Sequence, residues 1–206
     1  MPNRVISFDV GIVNLGLWIG TTDESAEQFV TLHWELVDIK ACNTNTIAET
    51  GYRLMDVLQQ RLSLFDIASD PYIVIELQPE SNIKMKALSH ILQAWFYCQG
   101  VHESRIRFVS PRNKLTVYTK PLKSVSESAI IKGSYLYRKN ISVEHTKAML
   151  EENNEPQWRT VLDGHVKKDD LADSYLQGCH TLKRLHAVDV RVAKRKARVA
   201  AAAAKT

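Results

Sequence analysis

Residues 4–22 read RVISFDVGIVNLGLWIGTT. β-branched and aromatic residues dominate, and Gly11 and Gly16 interrupt them, which predicts two strands joined tightly around Val13 and Asn14. Asp9 is the odd member. It alternates with Ser7 and Val5 on a side expected to be buried, where an aspartate has poor strand propensity and an unpaired carboxylate is costly. Either a basic partner or a cation must accompany it.

Working outward, FVTLHWELVDIK (29–40) is a third strand, and three strands in succession suggest an antiparallel meander. In NTIAETGYRLMDVLQQRLSLF (45–65) apolar residues recur at helical spacing, with Asn45 or Thr46 available as N-cap. YIVIELQPE (72–80) is a short apolar run expected of a strand covered on both faces, and Glu76 closes it. Residues 83–99 form a helix whose apolar arc spans about 220°, wider than packing on one sheet requires. The excess implies a second buried face, against more of this chain or against another copy. RIRFV (105–109) is a further strand, and SPRNK (110–114) leaves regular structure at Pro111. Residues 115–137 show no period and read as a loop or insertion. ISVEHTKAMLEENN (141–154) is a helix stopped by Asn153, Asn154 and Pro156, and a last helix runs from about Val166 to His186 with Leu171, Tyr175, Cys179 and Leu182 inward. The order implies α/β architecture: a mixed sheet with helices on both faces.

The chain has 206 residues, 45% hydrophobic and 24% charged, enough for one core plus a tail. Its three cysteines are odd in number and widely spaced, which suggests neither a disulfide framework nor a zinc knuckle. Arg4 and Asp9 interrupt the first apolar stretch, so no signal segment or membrane span is expected, and the chain reads as soluble and intracellular. The net charge of +4 is uneven: Lys183 to Thr206 hold eight basic residues and one acid (+7), leaving about −3 elsewhere. Residues 1–186 are expected to form the domain and 187–206 a basic alanine-rich tail. That tail suits nucleic acid and a solvated, frayed helix equally well.

Residues 167–178, KKDDLADSYLQG, put three aspartates within five positions ahead of an apolar run. Like charges at this spacing repel on a helix, and burial raises the cost. A solvated helix start would explain Asp169, since acids are favoured near a helix N-terminus. It explains Asp173 less well, because that residue lies further into the helix. Should the helix cross the sheet, Asp9, Glu76 and the aspartate turn would converge. Divalent cations could neutralise them, and oxygen-only ligation selects Mg²⁺ or Mn²⁺ over zinc. Paired divalent cations serve in-line displacement at phosphorus, so the implied substrate is a phosphodiester.

ISFDVGIVNLG, VIELQPESN, FVSPRNK and KKDDLADSYLQG, in this order and spacing, resemble RuvC-type Holliday junction resolvases, nearest the viral, poxvirus-like branch. The resemblance covers roughly residues 3–182. It implies a ribonuclease H-like fold with a five-stranded mixed sheet and a homodimer formed through the helix 83–99. It also implies Mg²⁺-dependent paired nicks that leave 5′-phosphates and ligatable 3′-hydroxyls in four-way junction DNA. If the chain is viral, it would work in the host-cell cytoplasm. The family's four acidic ligands match Asp9, Glu76, Asp170 and Asp173, the D-x-x-D spacing choosing Asp170 over Asp169. Lys114 and Lys139 are the candidates for stabilising the phosphate, and Lys84, Lys86 and Arg112 for touching it or simply for facing solvent. Trp34, Trp95 and Trp158 read as packing residues. The rival readings are a related nuclease acting on RNA–DNA hybrid or flap DNA, and a junction-binding protein with a relict site.

Overall fold

The structure, a computed structural model, describes residues 3–23, 25, 28–40, 46–122 and 135–203. Its strands are β1 (Val5–Val10), β2 (Asn14–Thr22), β3 (Phe29–Asp38), β4 (Tyr72–Glu76) and β5 (Ile106–Val109). The helices are α1 (Ile47–Gln60), α2 (Leu62–Phe65), α3 (Ile83–Cys98), α4 (Tyr135–Glu152), α5 (Pro156–Gly164) and α6 (Lys168–Ala203). The sheet order is β3-β2-β1-β4-β5. β1, β2 and β3 form the expected antiparallel meander, and β4 and β5 add in parallel beside β1. The mixed five-stranded sheet is therefore as the sequence implied.

Strand alternation divides the interior in two. Ile6, Phe8, Leu17, Ile73 and Ile75 point to one face, where α1 and α3 cover them. Val5, Trp18 and Val74 point to the other, beneath Leu171, Tyr175, Cys179 and Leu182 of α6. Asp9, Gly16 and Glu76 share the parity of this second set, so all three stand on the α6 side.

Capping sets the start of α1. Thr46 accepts from the Glu49 backbone N–H at 3.2 Å while the Glu49 carboxylate turns back to Thr46, a reciprocal capping box. Asn45, the alternative cap, lies outside the described residues, as do Cys42, residues 123–134 of the expected insertion and the last three residues of the tail.

Three expectations need correction. Pro156 ends α4 but also occupies the first turn of α5, a helix absent from the sequence reading, where its missing N–H costs nothing. The helix expected from 141 begins at Tyr135, inside the stretch taken as loop. The final helix does not stop near His186: α6 runs 36 residues, Lys168–Ala203, because Ala, Lys and Arg, which fill its outer half, are strong helix formers. The wide arc of α3 is partly explained within the chain. α1 packs against it so closely that a Cβ on Gly51 would lie 2.8 Å from Ile91 Cδ1.

Candidate active site

The parallel strands β1, β4 and β5 end at one edge of the sheet, and α6 begins there. Two glycines permit that approach. Gly16 pairs with Asp9 across the hairpin, and a Cβ on it would stand 2.5 Å from the backbone oxygen of Asp170. Two turns further along α6, a Cβ on Gly178 would run into the Trp18 ring at 2.2 Å. α6 is also tied by side chains. Trp34 Nε1 donates to the Leu171 carbonyl at 3.1 Å, and the Gln177 amide donates to Ser7 Oγ and the Phe8 carbonyl, both at 3.2 Å.

This seating brings together three carboxylates from three distant segments: Asp9 of β1, Glu76 of β4 and Asp173 of α6. Lys114, in a 3₁₀ turn after β5, reaches into the group. Its Nζ lies 3.2 Å from Glu76 Oε1 and pairs with Asp173 Oδ2. All three side chains of that bridge are largely withdrawn from solvent, at 12–18% exposure. Burial, the Glu76 charge and a hydrogen bond shared with Glu76 push the Asp9 carboxyl well above the usual carboxylate range, and Asp173 adds to this while Lys114 opposes it. Burial alone would discharge Lys114, but the charges of Asp173, Glu76 and Asp9 outweigh it and hold the ammonium.

Asp170 stands one turn earlier, outside the Lys114 bridge. Its Oδ2 accepts from Asn14 Nδ2 at 3.4 Å, and burial with the neighbouring Asp169 charge raises its pKa. Lys139, on the second turn of α4, pairs with Asp169. Burial of Asp169 is outweighed by that lysine, which keeps its carboxyl low. Thus Asp9, Glu76, Asp173 and Lys114 form one cluster, while Asp170 and Lys139 flank it.

The oxygen-only donor set suits a hard divalent cation, and Asp173 Oδ1 is buried without a hydrogen-bond partner, an acceptor still lacking a donor or a cation. Among the described residues no three acidic, histidine or cysteine side chains are drawn in tightly enough to enclose a metal ion; the carboxylates surround an ammonium instead. Asn14 and Ser142 were not foreseen in the sequence. Asn14 orients Asp170 from the first residue of β2, and Ser142, whose hydroxyl donates to the Arg138 carbonyl at 3.1 Å, stands near Asp173 and helps lower its pKa against burial. Gln177 had a legible signal, being a lone amide inside the apolar run LADSYLQGC.

Acids at the carboxyl edge of a three-plus-two mixed sheet, beside the start of α6, lie on a ribonuclease H-like fold. The chain has, in particular, the fold of the RuvC-type and poxvirus Holliday junction resolvases. It superposes on the fowlpox virus resolvase, solved with its substrate Holliday junction DNA, with a TM-score of 0.57 at 18% identity, covering 88% of this chain and 98% of that one. For Thermus thermophilus RuvC the values are 0.56 and 17%, over 86% and 92%. The yeast mitochondrial Holliday junction resolvase Ydc2 gives 0.51 and 17%, over 87% and 78%. By sequence, the chain is 32% identical over 145 residues to "Uncharacterized protein L451" of Acanthamoeba polyphaga mimivirus. The match takes in 66% of this chain and 34% of that protein, so the chain spans about a third of the length of this curated relative. No family model matches the chain.

Proposed function

We propose that the chain is a RuvC-type, Mg²⁺-dependent endonuclease that resolves four-way DNA junctions by paired symmetric nicks. The observation that carries this reading is the convergence of Asp9, Glu76 and Asp173 with Lys114 at the crevice edge, on a fold shared with resolvases. Asp9, Glu76 and Asp173, with Asp170 beside them, would hold Mg²⁺, and Mn²⁺ should substitute. Bound there, the cation supplies Lewis-acid stabilisation of phosphoryl oxygens and lowers the pKa of water.

The chain's own groups account for the rest. Lys114 keeps its charge in the crevice and offers an ammonium to the phosphate oxygens, whose negative charge grows during displacement. Asp9, whose proton affinity burial and repulsion have raised, is placed to take up a proton when no cation holds it off. Asn14 fixes Asp170, and the Lys139–Asp169 pair neutralises the outer wall.

Two opposed nicks need two sites related by a two-fold axis, so the working form is a homodimer. The side of α3 turned away from α1 and the sheet supports this. Ile83 is 71% and Tyr97 42% exposed, and Ala94 lies between them on the same edge. No helix among the described residues is long and apolar enough to cross a membrane.

The deciding experiment incubates the full chain with labelled four-way junctions, RNA–DNA hybrid, flap DNA and linear duplex in Mg²⁺. Symmetric nicks in the junction, blocked by Asp173→Asn, are expected. Preferential cutting of hybrid or flap DNA would replace the substrate, and junction binding without cleavage in any divalent ion would make the Lys114-bridged cluster a relict site.

A further inference from the structure

Beyond Val190, α6 leaves the body of the protein. Residues 191–200 are exposed on every side, so the outer helix stands alone in solvent. From Lys183 to Arg198 it carries seven basic residues and one acid, Asp189, whose carboxylate accepts from Asn3 Nδ2 at 3.1 Å. Their placement is not random around the axis. At 100° per residue, Arg184, Arg191, Arg195 and Arg198 fall within about 40° of the azimuth of Asp173. At 1.5 Å per residue they stand roughly 17 to 38 Å further along the helix. Since α6 is one continuous helix, it fixes both the distance and the direction of this arginine edge relative to the crevice. None of the four arginines is paired with a carboxylate among the described residues.

We propose that this edge of α6 binds the phosphodiester backbone of a duplex arm leading away from the crevice, an inference that rests on the nuclease reading above. A duplex presents a phosphate every 3.4 Å along each strand, so the stripe matches about 6 base pairs of backbone. Arginine suits it better than lysine, because its planar fork engages phosphate oxygens in pairs. A second copy of the helix is the other conceivable occupant, since Val188, Val192 and Val199 are exposed on the adjoining edge. Charge decides between them: two such helices would oppose seven positive charges with seven, whereas a phosphate backbone complements them.

The test uses the full chain carrying Arg184→Gln, Arg191→Gln, Arg195→Gln and Arg198→Gln, all exposed positions where glutamine keeps helix propensity. Binding to four-way junctions and to linear duplex with arms of about 20 base pairs is measured against salt concentration in the absence of divalent ions. The variant is expected to bind both at least about tenfold more weakly, and its plot of log K against log salt should be flatter by about 3.6, while nicking at saturating junction stays at the wild-type rate. Lysine at the same four positions should restore most of the slope. A parallel variant, Ala193→Glu, Ala197→Glu and Ala200→Glu, adds charge of the opposite sign to the far side of the helix and should flatten the slope less. An unchanged slope in the glutamine variant, or an equal effect from the far-side set, overturns the proposal. So does loss of self-association on sedimentation with DNA affinity intact, which would make the second copy the occupant. Because linear duplex is read alongside junctions, the arginine edge is judged even where the wild type cuts no junction, and a failure of the nuclease reading is seen separately.

Discussion

Lys114 Nζ lies 3.2 Å from Glu76 Oε1 while also pairing with Asp173, so an ammonium from the turn after β5 stands between acids of β4 and α6. On the proposed reading, this ammonium compensates the same carboxylates that a divalent cation would neutralise. Replacing it by methionine leaves three crowded carboxylates without compensation, a change expected to cost on the order of 2–4 kcal/mol in EDTA. Mg²⁺ should then raise the melting temperature of Lys114→Met more than that of the wild type, as followed by calorimetry. Nicking should fall at least about a hundredfold, with junction binding nearly retained. Equal Mg²⁺ shifts in the two proteins would show that ammonium and cation do not share the acids.

Asp9 illustrates the opposite trade. Burial and the charges of Glu76 and Asp173 all disfavour its ionised form. Asp9→Asn keeps the shape and removes the repulsion, so in EDTA it should melt about 2–4 °C higher than the wild type, corresponding to about 1 kcal/mol for a chain of this size. The same variant should be inactive in Mg²⁺. A destabilised Asp9→Asn would mean that the carboxylate is held by favourable contacts and not by the demands of the site.

Gly16 links strand geometry to the site. With the backbone oxygen of Asp170 2.5 Å from where a Cβ would sit, Gly16→Ala must push the start of α6 away from β2. Overpacking of this kind costs about 1–3 kcal/mol, but the greater effect should be on nicking, because Asp170 and Asp173 ride on the displaced turn. The check is activity at a temperature where urea titration shows the variant fully folded. Wild-type activity there would remove α6 seating from the account.

The exposed edge of α3 is tested by Ala94→Asp. The substitution sets a charge between Ile83 and Tyr97 without touching the sheet, so the fold should be unaffected. Sedimentation should show a dimer for the wild type at micromolar concentration and a monomer for the variant, which should give single unpaired nicks. A monomeric wild type would defeat the interface.

How much of this was readable beforehand depended on contrast within each stretch. Asp9 stood out because it is the only acid in a β-branched run, and Glu76 because it closes an apolar strand. The outer half of α6 offered no such contrast: it has no buried stripe, so periodicity ended near Leu182 although helix propensity continued. Pro156 was read as a stop because its second role, opening α5, depends on the turn before it. The width of the α3 arc could not say which partner filled it, and the close approach of Gly51 to Ile91 supplied part of the answer from within the chain. Lys114 could be named from its place after β5, but its position between Glu76 and Asp173 needs the fold, since 38 and 59 residues separate it from them.

One ion pair away from the crevice gives a pH signature. Arg61, at the end of α1, donates from Nε to Glu35 Oε1 at 2.7 Å and from Nη2 to Oε2 at 3.0 Å, and His33 Nε2 adds a contact at 2.9 Å. Burial of Glu35 works against these partners, but His33 and Arg61 outweigh it and lower the carboxyl from 4.5 to about 2. A folded pKa below the unfolded one means that the stabilisation is complete above about 4.5 and is lost as pH falls towards 2. Because Glu35 is only half-buried, solvent screening holds the contribution to about 1 kcal/mol. Urea unfolding of the wild type and of Glu35→Gln should therefore differ by that amount at pH 7, and the gap should close between pH 4.5 and 2. A gap that persists at pH 2 would show that Glu35 ties α1 to β3 through packing of its side chain and not through its charge.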